Sequence, residues 1–177
     1  MKPSDAALSF RPSFEGMLSL DLPPDWHQRI QARIDEGFLV PGRKARANYR
    51  VTAAGPHQLV FEAGDFATAY AIGLNHVELW LTGKSLAYRV SFARWNRYVV
   101  AHGALLGVAL ILASFHPSLR GQIDSLAWIF WLMVGFWSLA WPWIMTAIHR
   151  PFARRTLERI LLEELEHKEP PKAHAAS

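Results

Sequence analysis

Two long runs without a charged side chain dominate the second half of the sequence and restrict the folds open to it. No Asp, Glu, Lys or Arg occurs at 98–119 or at 125–149. Within these stretches, 98–115 contains 18 residues and 125–148 contains 24. A helix rises ~1.5 Å per residue and a bilayer has ~30 Å of hydrocarbon, so both lengths suit a span. The pattern predicts a two-helix transmembrane hairpin over 98–148.

Two buried helices of a soluble protein are the alternative interpretation of these runs. Helices that are apolar all round need other apolar elements on every side. The roughly 95 residues that precede the first run amount to one small domain, which cannot enclose both helices. The transmembrane interpretation is therefore preferred.

The stretch before the hairpin, 1–97, predicts one small domain of the α+β class. A helix is expected at about 25–36, and its apolar stripe consists of Trp26, Ile30 and Ile34. Over about 45–94, short alternating runs are separated by turn residues, which is typical of an antiparallel β-meander. One of these predicted strands is 66–74, and weak alternation at 14–22 suggests another. One helix packed on the meander would give two layers.

Basic residues flank the hairpin on one side, which predicts its orientation, because Lys and Arg are enriched at the cytoplasmic ends of spans. The flanking residues are Lys84, Arg89, Arg94, Arg97, Arg150, Arg154, Arg155 and Arg159. The connecting loop carries Arg120, offset by Asp124. Both termini are therefore expected in the cytoplasm, and the bacterial inner membrane is the expected location.

Small residues predict how the two spans meet. Gly103 and Gly107 are four residues apart and allow two backbones to approach closely, with Gly135 and Ser138 as the facing candidates. The same pair could serve a homodimer. His102 is the only Asp, Glu, Lys, Arg or His inside either span, and such residues are functional candidates. Because it lies near the start of its span, headgroup contact is favoured over proton or ligand handling.

The C-terminal segment, 149–177, predicts a juxtamembrane amphipathic helix and then a disordered tail. The helix is expected to be interrupted at 150–151. Its apolar stripe consists of Leu157, Ile160, Leu161 and Leu165. This stripe could pack on the domain, which is slightly favoured, pair in an oligomer, or belong to a helix that leaves an anionic membrane surface.

Basic side chains are the candidates for contact with anionic lipid or an acidic partner. They are Arg43, Lys44, Arg46, Arg50, Arg94, Arg97, Arg150, Arg154 and Arg155. Nucleic acid is not expected, because no aromatic residue interleaves with the arginines of the strand near residue 46. No metal or other cofactor is predicted, because the chain has no cysteine, no phosphate-binding glycine loop and only scattered histidines.

Three functions fit this organisation. The first is a non-enzymatic inner-membrane protein whose cytoplasmic domain binds a protein or lipid partner, or a second copy of itself. The second is a membrane-bound enzyme with a site between the sheet and the headgroups, around His57, His76 and Glu62. The third is a pore or transporter component built from hairpins. The polar residues available to it within the spans are His102, Ser114, Ser138 and Thr146.

A reporter fused at Ser118 tests the predicted orientation. It should lie on the opposite side of the membrane from a reporter fused to either terminus, because the basic flanks retain both ends in the cytoplasm. The measurement is the activity of a reporter that works in only one compartment. A cytoplasmic Ser118 fusion contradicts the prediction.

Overall fold

The structure, a computed structural model, describes residues 12–37, 47–71 and 73–166. Its strands are β1 (Ser13–Ser19), β2 (Tyr49–Gly55), β3 (Gln58–Ala63), β4 (His76–Thr82) and β5 (Ser85–Ser91). Its helices are α1 (Trp26–Asp35), α2 (Phe66–Ala71), α3 (Ala93–Ser114), α4 (Pro117–Ser125), α5 (Ala127–Gly135) and α6 (Trp141–Leu165). A π-helical turn (Phe136–Ala140) joins α5 to α6.

The five strands form one antiparallel sheet in the order β1-β5-β4-β3-β2. Four of them follow one another as the predicted meander, and β1 adds to the outer edge of β5. Phe14 lies opposite Val90, which lies opposite Val77, which in turn lies opposite Phe61. An apolar row therefore crosses four strands on one face of the sheet. The predicted α+β fold is confirmed.

Two helices cover that apolar face of the sheet. From α1, the predicted stripe of Trp26, Ile30 and Ile34 is buried. From α6, the buried residues are Ala153, Leu157, Ile160, Leu161 and Leu165. Arg33 of α1 joins the two helices through ion pairs to Glu164, at 2.8 Å, and Glu163, at 3.3 Å. The C-terminal stripe therefore packs on the domain, which was the favoured alternative.

The strand predicted at 66–74 is wrong, because this stretch begins with helix α2. Asp65 accepts a 2.7 Å hydrogen bond from the backbone N–H of Thr68 and so caps the first turn. This bond, followed by bonds from the side chains of Thr68 and Asn48, holds the pKa of Asp65 below its usual range. The alternation of large residues with alanine suggested a strand. Alanine is also the strongest helix former, and Phe66 and Tyr70 have helical spacing.

Two helices are long and apolar enough to cross a membrane by length and composition. They are Ala93–Ser114, of 22 residues, and Ala127–Leu165, of 39 residues, in which α5, the π-helical turn and α6 are continuous. Only 17% of the most apolar window of each is buried, whereas the core helix of a soluble protein is mostly buried. The low burial argues against the soluble-core alternative.

The predicted boundaries around the hairpin differ from the observed ones in two places. Helix α4 occupies most of the link between the two apolar helices, for which no helix was predicted. Helix α6 passes through Pro151 without the expected interruption, so the second apolar helix and the C-terminal amphipathic helix are one element. The predicted tail at 169–177 lies outside the described residues, as do the first 11 residues.

Replacing Leu157 by Ala tests the role of α6 in the core. Leu157 is fully buried, so Leu157→Ala should lower the free energy of unfolding by about 2–5 kcal/mol. Leu132→Ala is the matched control, because Leu132 is 65% exposed on α5. It should change stability by no more than about 0.5 kcal/mol in detergent. Denaturant unfolding of both purified variants in the same micelles gives the comparison, and equal losses contradict the assignment.

Candidate functional site

The two apolar helices meet the domain at a joint that is held by ring and hydrogen-bond contacts. The ring of Trp95, in the first turn of α3, stacks on His149 of α6 with centroids 4.1 Å apart and planes 12° apart. Next to it, the buried Thr146 hydroxyl lies 2.9 Å from Asn96 Oδ1 and 2.8 Å from the Pro142 carbonyl. A hydroxyl has one proton, so it donates to one of these acceptors at a time. The joint therefore combines ring stacking with a buried polar contact.

Asn75 connects this joint to the sheet. Its side-chain amide donates to the Ala69 carbonyl of α2 at 2.9 Å, and its Oδ1 accepts from the backbone N–H of Trp95 at 2.7 Å. Its own carbonyl accepts from the N–H of Ala63, at the end of β3. The buried side chain thus joins α2 to α3, and the backbone of the same residue joins them to β3. No spacing pattern in the sequence identifies this residue as a site residue.

The predicted glycine contact lies between α3 and the π-helical turn. A Cβ atom added at Gly107 would overlap the side chain of Ser138, and one at Gly103 would lie 2.6 Å from the Trp137 carbonyl oxygen. Both glycines are buried. A Cβ added at Gly135 would meet nothing within 4 Å. The structure therefore brings Gly103, Gly107 and Ser138 together and leaves Gly135 outside the contact.

The polar residues considered for a pore lie in separate environments. His102 is exposed on α3, outside the glycine contact. Ser114 donates to the Ile111 carbonyl of its own helix at 2.6 Å. Ser138 faces Gly107, and Thr146 is bound in the joint. The structure does not bring these four side chains together.

The predicted basic contacts divide into bound and exposed groups. Arg94 donates to the Ala63 carbonyl at 2.7 Å, and Arg154 pairs with Glu158 at 3.0 Å. Arg50, Arg97 and Arg155 are exposed, as is Arg154 in spite of its ion pair, whereas Arg150 is half-buried. Arg43, Lys44 and Arg46 lie outside the described residues. The described arginines therefore differ in how far they are available to an anionic partner.

The sheet face opposite α1 and α6 carries charges of both signs. Arg89 lies 2.6 Å from Glu15 and 3.9 Å from Glu78, and His76 lies 3.2 Å from Glu78 and 4.0 Å from Glu62. The neighbouring row on this outer sheet face contains Met17, Ala87, Trp80 and Gln58. Met17 is 61% exposed. Because the three carboxylates outnumber Arg89 here, the face does not select an anion.

The strand register separates the residues proposed for an enzymatic site. His76 lies opposite Glu62, but the His57 carbonyl accepts from Leu81 at the other end of β4. At ~3.3 Å per residue, His57 and His76 are about 16 Å apart along the strands. The expectation that they meet across the sheet is therefore wrong. Among 12–37, 47–71 and 73–166, no group of three or more His, Asp or Glu side chains is arranged to hold a metal ion.

Tyr88 links the core face of the sheet to α6. Its buried hydroxyl donates to the carboxylate of Glu158, and burial is the largest cause that raises its pKa. Gly16 on the neighbouring strand leaves room for the Tyr88 ring, because an added Cβ would overlap it. For Glu158, burial raises the pKa, but the hydrogen bonds from Tyr88 and Arg154 outweigh it, so the net pKa is lowered.

Comparison with protein-family models, with curated proteins and with solved structures found no match for this chain.

Leucine substitutions at two glycines test the helix contact. Gly107→Leu should separate α3 from the π-helical turn and lower the melting temperature in detergent, because its side chain would overlap Ser138. Gly135→Leu is the matched control and should be neutral or mildly stabilising, since leucine is the better helix former and open space surrounds this position. Similar melting temperatures for the two variants contradict the contact.

Glu158→Gln tests the carboxylate bound by Tyr88 and Arg154. Its pKa in the folded state lies below the ordinary value of 4.5, so its contribution to stability is present above that pH. The contribution is lost as the pH falls through the lowered value. The variant should be less stable than the parent by about 1 kcal/mol at pH 7, and the difference should vanish in acid. Glu166→Gln, at an exposed position, is the control. A difference that is equal at pH 7 and pH 3 refutes the assignment.

Proposed function

We propose that this chain is an integral protein of the bacterial inner membrane with both termini in the cytoplasm. In this proposal the α+β domain is held at the bilayer surface and binds a protein or lipid partner there. The observation that carries it is the continuity of Ala127–Leu165, which is both the second apolar helix and a layer of the domain core. The hairpin is the anchor, and the domain carries the binding function.

The continuous helix supports a fixed presentation of the domain. A domain tethered by a flexible loop would sample many orientations relative to its anchor. Here the stacked Trp95 and His149 rings and the Thr146–Asn96 contact lie where the helices leave the apolar region. Rotation of the domain would have to break these contacts together with the buried stripe of α6. A partner therefore meets the same surface at a constant height above the bilayer.

The outer sheet face is the surface proposed for a protein partner. Antiparallel sheets commonly pack one face and leave the other open. This open face places the half-buried Trp80 and the exposed Met17 beside the charged row that contains Arg89. Aromatic residues, Met and Arg are enriched at protein interfaces. Its charges of both signs, with carboxylates in excess, suit a partner with complementary charges better than a uniformly anionic membrane.

The membrane-bound enzyme is the second candidate and the pore component the third. The enzyme hypothesis relied on His57, His76 and Glu62 lying together, and the register places His57 at the other end of the sheet. The pore hypothesis relied on aligned polar side chains, but Ser114 bonds within its own helix, Ser138 faces Gly107 and Thr146 is bound to Asn96. Neither arrangement gains support from the observed contacts.

Photocrosslinking in native membranes tests the proposed binding surface. A photoreactive amino acid at position 80 should form a discrete adduct, and one at Lys84, in the exposed turn after β4, should not. Adding the substitution Arg89→Glu should abolish the adduct, because it removes the positive charge between Glu15 and Glu78. Equal adducts at the two positions overturn the proposal, and so does an adduct at position 80 that survives Arg89→Glu.

A further inference from the structure

Helix α2 exposes two aromatic side chains that the domain core does not use. Phe66 is 59% exposed and Tyr70 is 44% exposed. They lie one helical turn apart, and their rings stack with centroids 5.6 Å apart and planes 16° apart. The opposite side of α2 is anchored to the domain, where Thr68 and Ala69 are buried. The aromatic pair therefore forms the outward surface of a short, well-held helix.

This pair lies at the level where the first apolar helix begins. The Phe66 ring contacts Tyr98 of α3 at a centroid distance of 4.7 Å. Tyr98 is the first residue of the uncharged run that continues through α3. Asn75 fixes this height by binding both Ala69 of α2 and Trp95 of α3. Tyrosine, as at positions 70 and 98, is favoured at the boundary between headgroups and hydrocarbon, and phenylalanine occurs on the apolar face of interfacial helices.

The aromatic pair is continuous with the exposed surface of α3. Leu105 and Leu112 farther along α3 are 69% and 64% exposed, which is the surface expected to face lipid. Arg97, one residue before Tyr98, is exposed and supplies a positive charge at the headgroup level. On the α6 side of the joint, Phe152 is also 59% exposed. The side chains around α2 are thus aromatic and cationic, like those of helices that lie in the interface of a membrane.

We propose that α2 lies in the interfacial layer of the bilayer, with Phe66 and Tyr70 inserted beside the first transmembrane helix. This contact is separate from the two spans and holds the membrane-proximal end of the domain against the lipid. The inference rests on the proposed membrane insertion of α3 and adds a third point of attachment.

The size of the patch favours lipid over a protein partner. An aromatic residue offers about 150–250 Å² of surface, so two half-exposed rings present on the order of 200 Å². A stable protein interface needs about 800 Å² from each partner. No such minimum applies to an interfacial helix, whose contact continues directly into the lipid-facing surface of the neighbouring span.

Nitroxide labelling measures the depth of α2 directly. The chain contains no cysteine, so single substitutions give unique labelling sites. Ala67→Cys places a label on the exposed side of α2 and keeps Phe66 and Tyr70 intact. Leu105→Cys provides the bilayer reference, and Met17→Cys, on the outer sheet face, provides the aqueous reference. The full chain is reconstituted in phosphatidylcholine–phosphatidylglycerol vesicles, and accessibility to oxygen and to a soluble nickel chelate is measured.

The proposal expects the label at position 67 about 5–10 Å below the headgroup boundary, shallower than that at 105 and unlike that at 17. Phe66→Ser with Tyr70→Ser, made in the Ala67→Cys chain, should move the label toward water. A label at 67 that matches the one at 17, while 105 is in lipid, overturns the inference and leaves the proposed function intact. A label at 105 exposed to the nickel chelate overturns both. Shielding of position 67 from both reagents indicates a protein or a second copy over α2 and also overturns the inference.

Discussion

The burial of one stripe of α6 against the sheet is the contact on which the rest of the domain depends. A five-stranded sheet with an apolar face needs a full second layer, and α1 alone supplies only three large side chains. Helix α6 supplies five buried residues. Polar contacts on either side of this stripe, from Tyr88 to Glu158 and from Arg33 to Glu164, hold the helix in place. The sequence distance between α1 and α6 is large, so the domain becomes complete only after the hairpin has been made.

The joint explains how one helix can serve an apolar region and a water-exposed domain. Buried polar groups such as Asn75, Asn96 and Thr146 are costly without partners, and each has one here. Two of their hydrogen bonds, Trp95 to Asn75 and Thr146 to Asn96, join elements that are distant in sequence. They therefore specify how the elements are arranged, whereas the surrounding apolar contacts mainly supply stability.

Periodicity in the sequence predicted the elements whose pattern is local. The α1 stripe, the two uncharged runs and the α6 stripe were all visible as spacing. Strand pairing was not visible in the sequence, because no local pattern places β1 beside β5 or separates His57 from His76. Helix α2 was missed because alternation with alanine fits both a strand and a helix. Gly135 was misplaced because the π-helical turn changes the angle between it and Ser138 from that of a regular α-helix.

Because α6 continues unbroken through the joint, the number of residues between the hairpin contact and the buried stripe is fixed. Between Thr146, which is bound to Asn96, and Ala153, which begins the buried stripe, the helix has no loop that could absorb a change. One inserted residue would turn the stripe by about 100° relative to the hairpin and point it away from the sheet. Natural insertions and deletions should therefore be rare in this segment, and variation in length should collect in the link around α4.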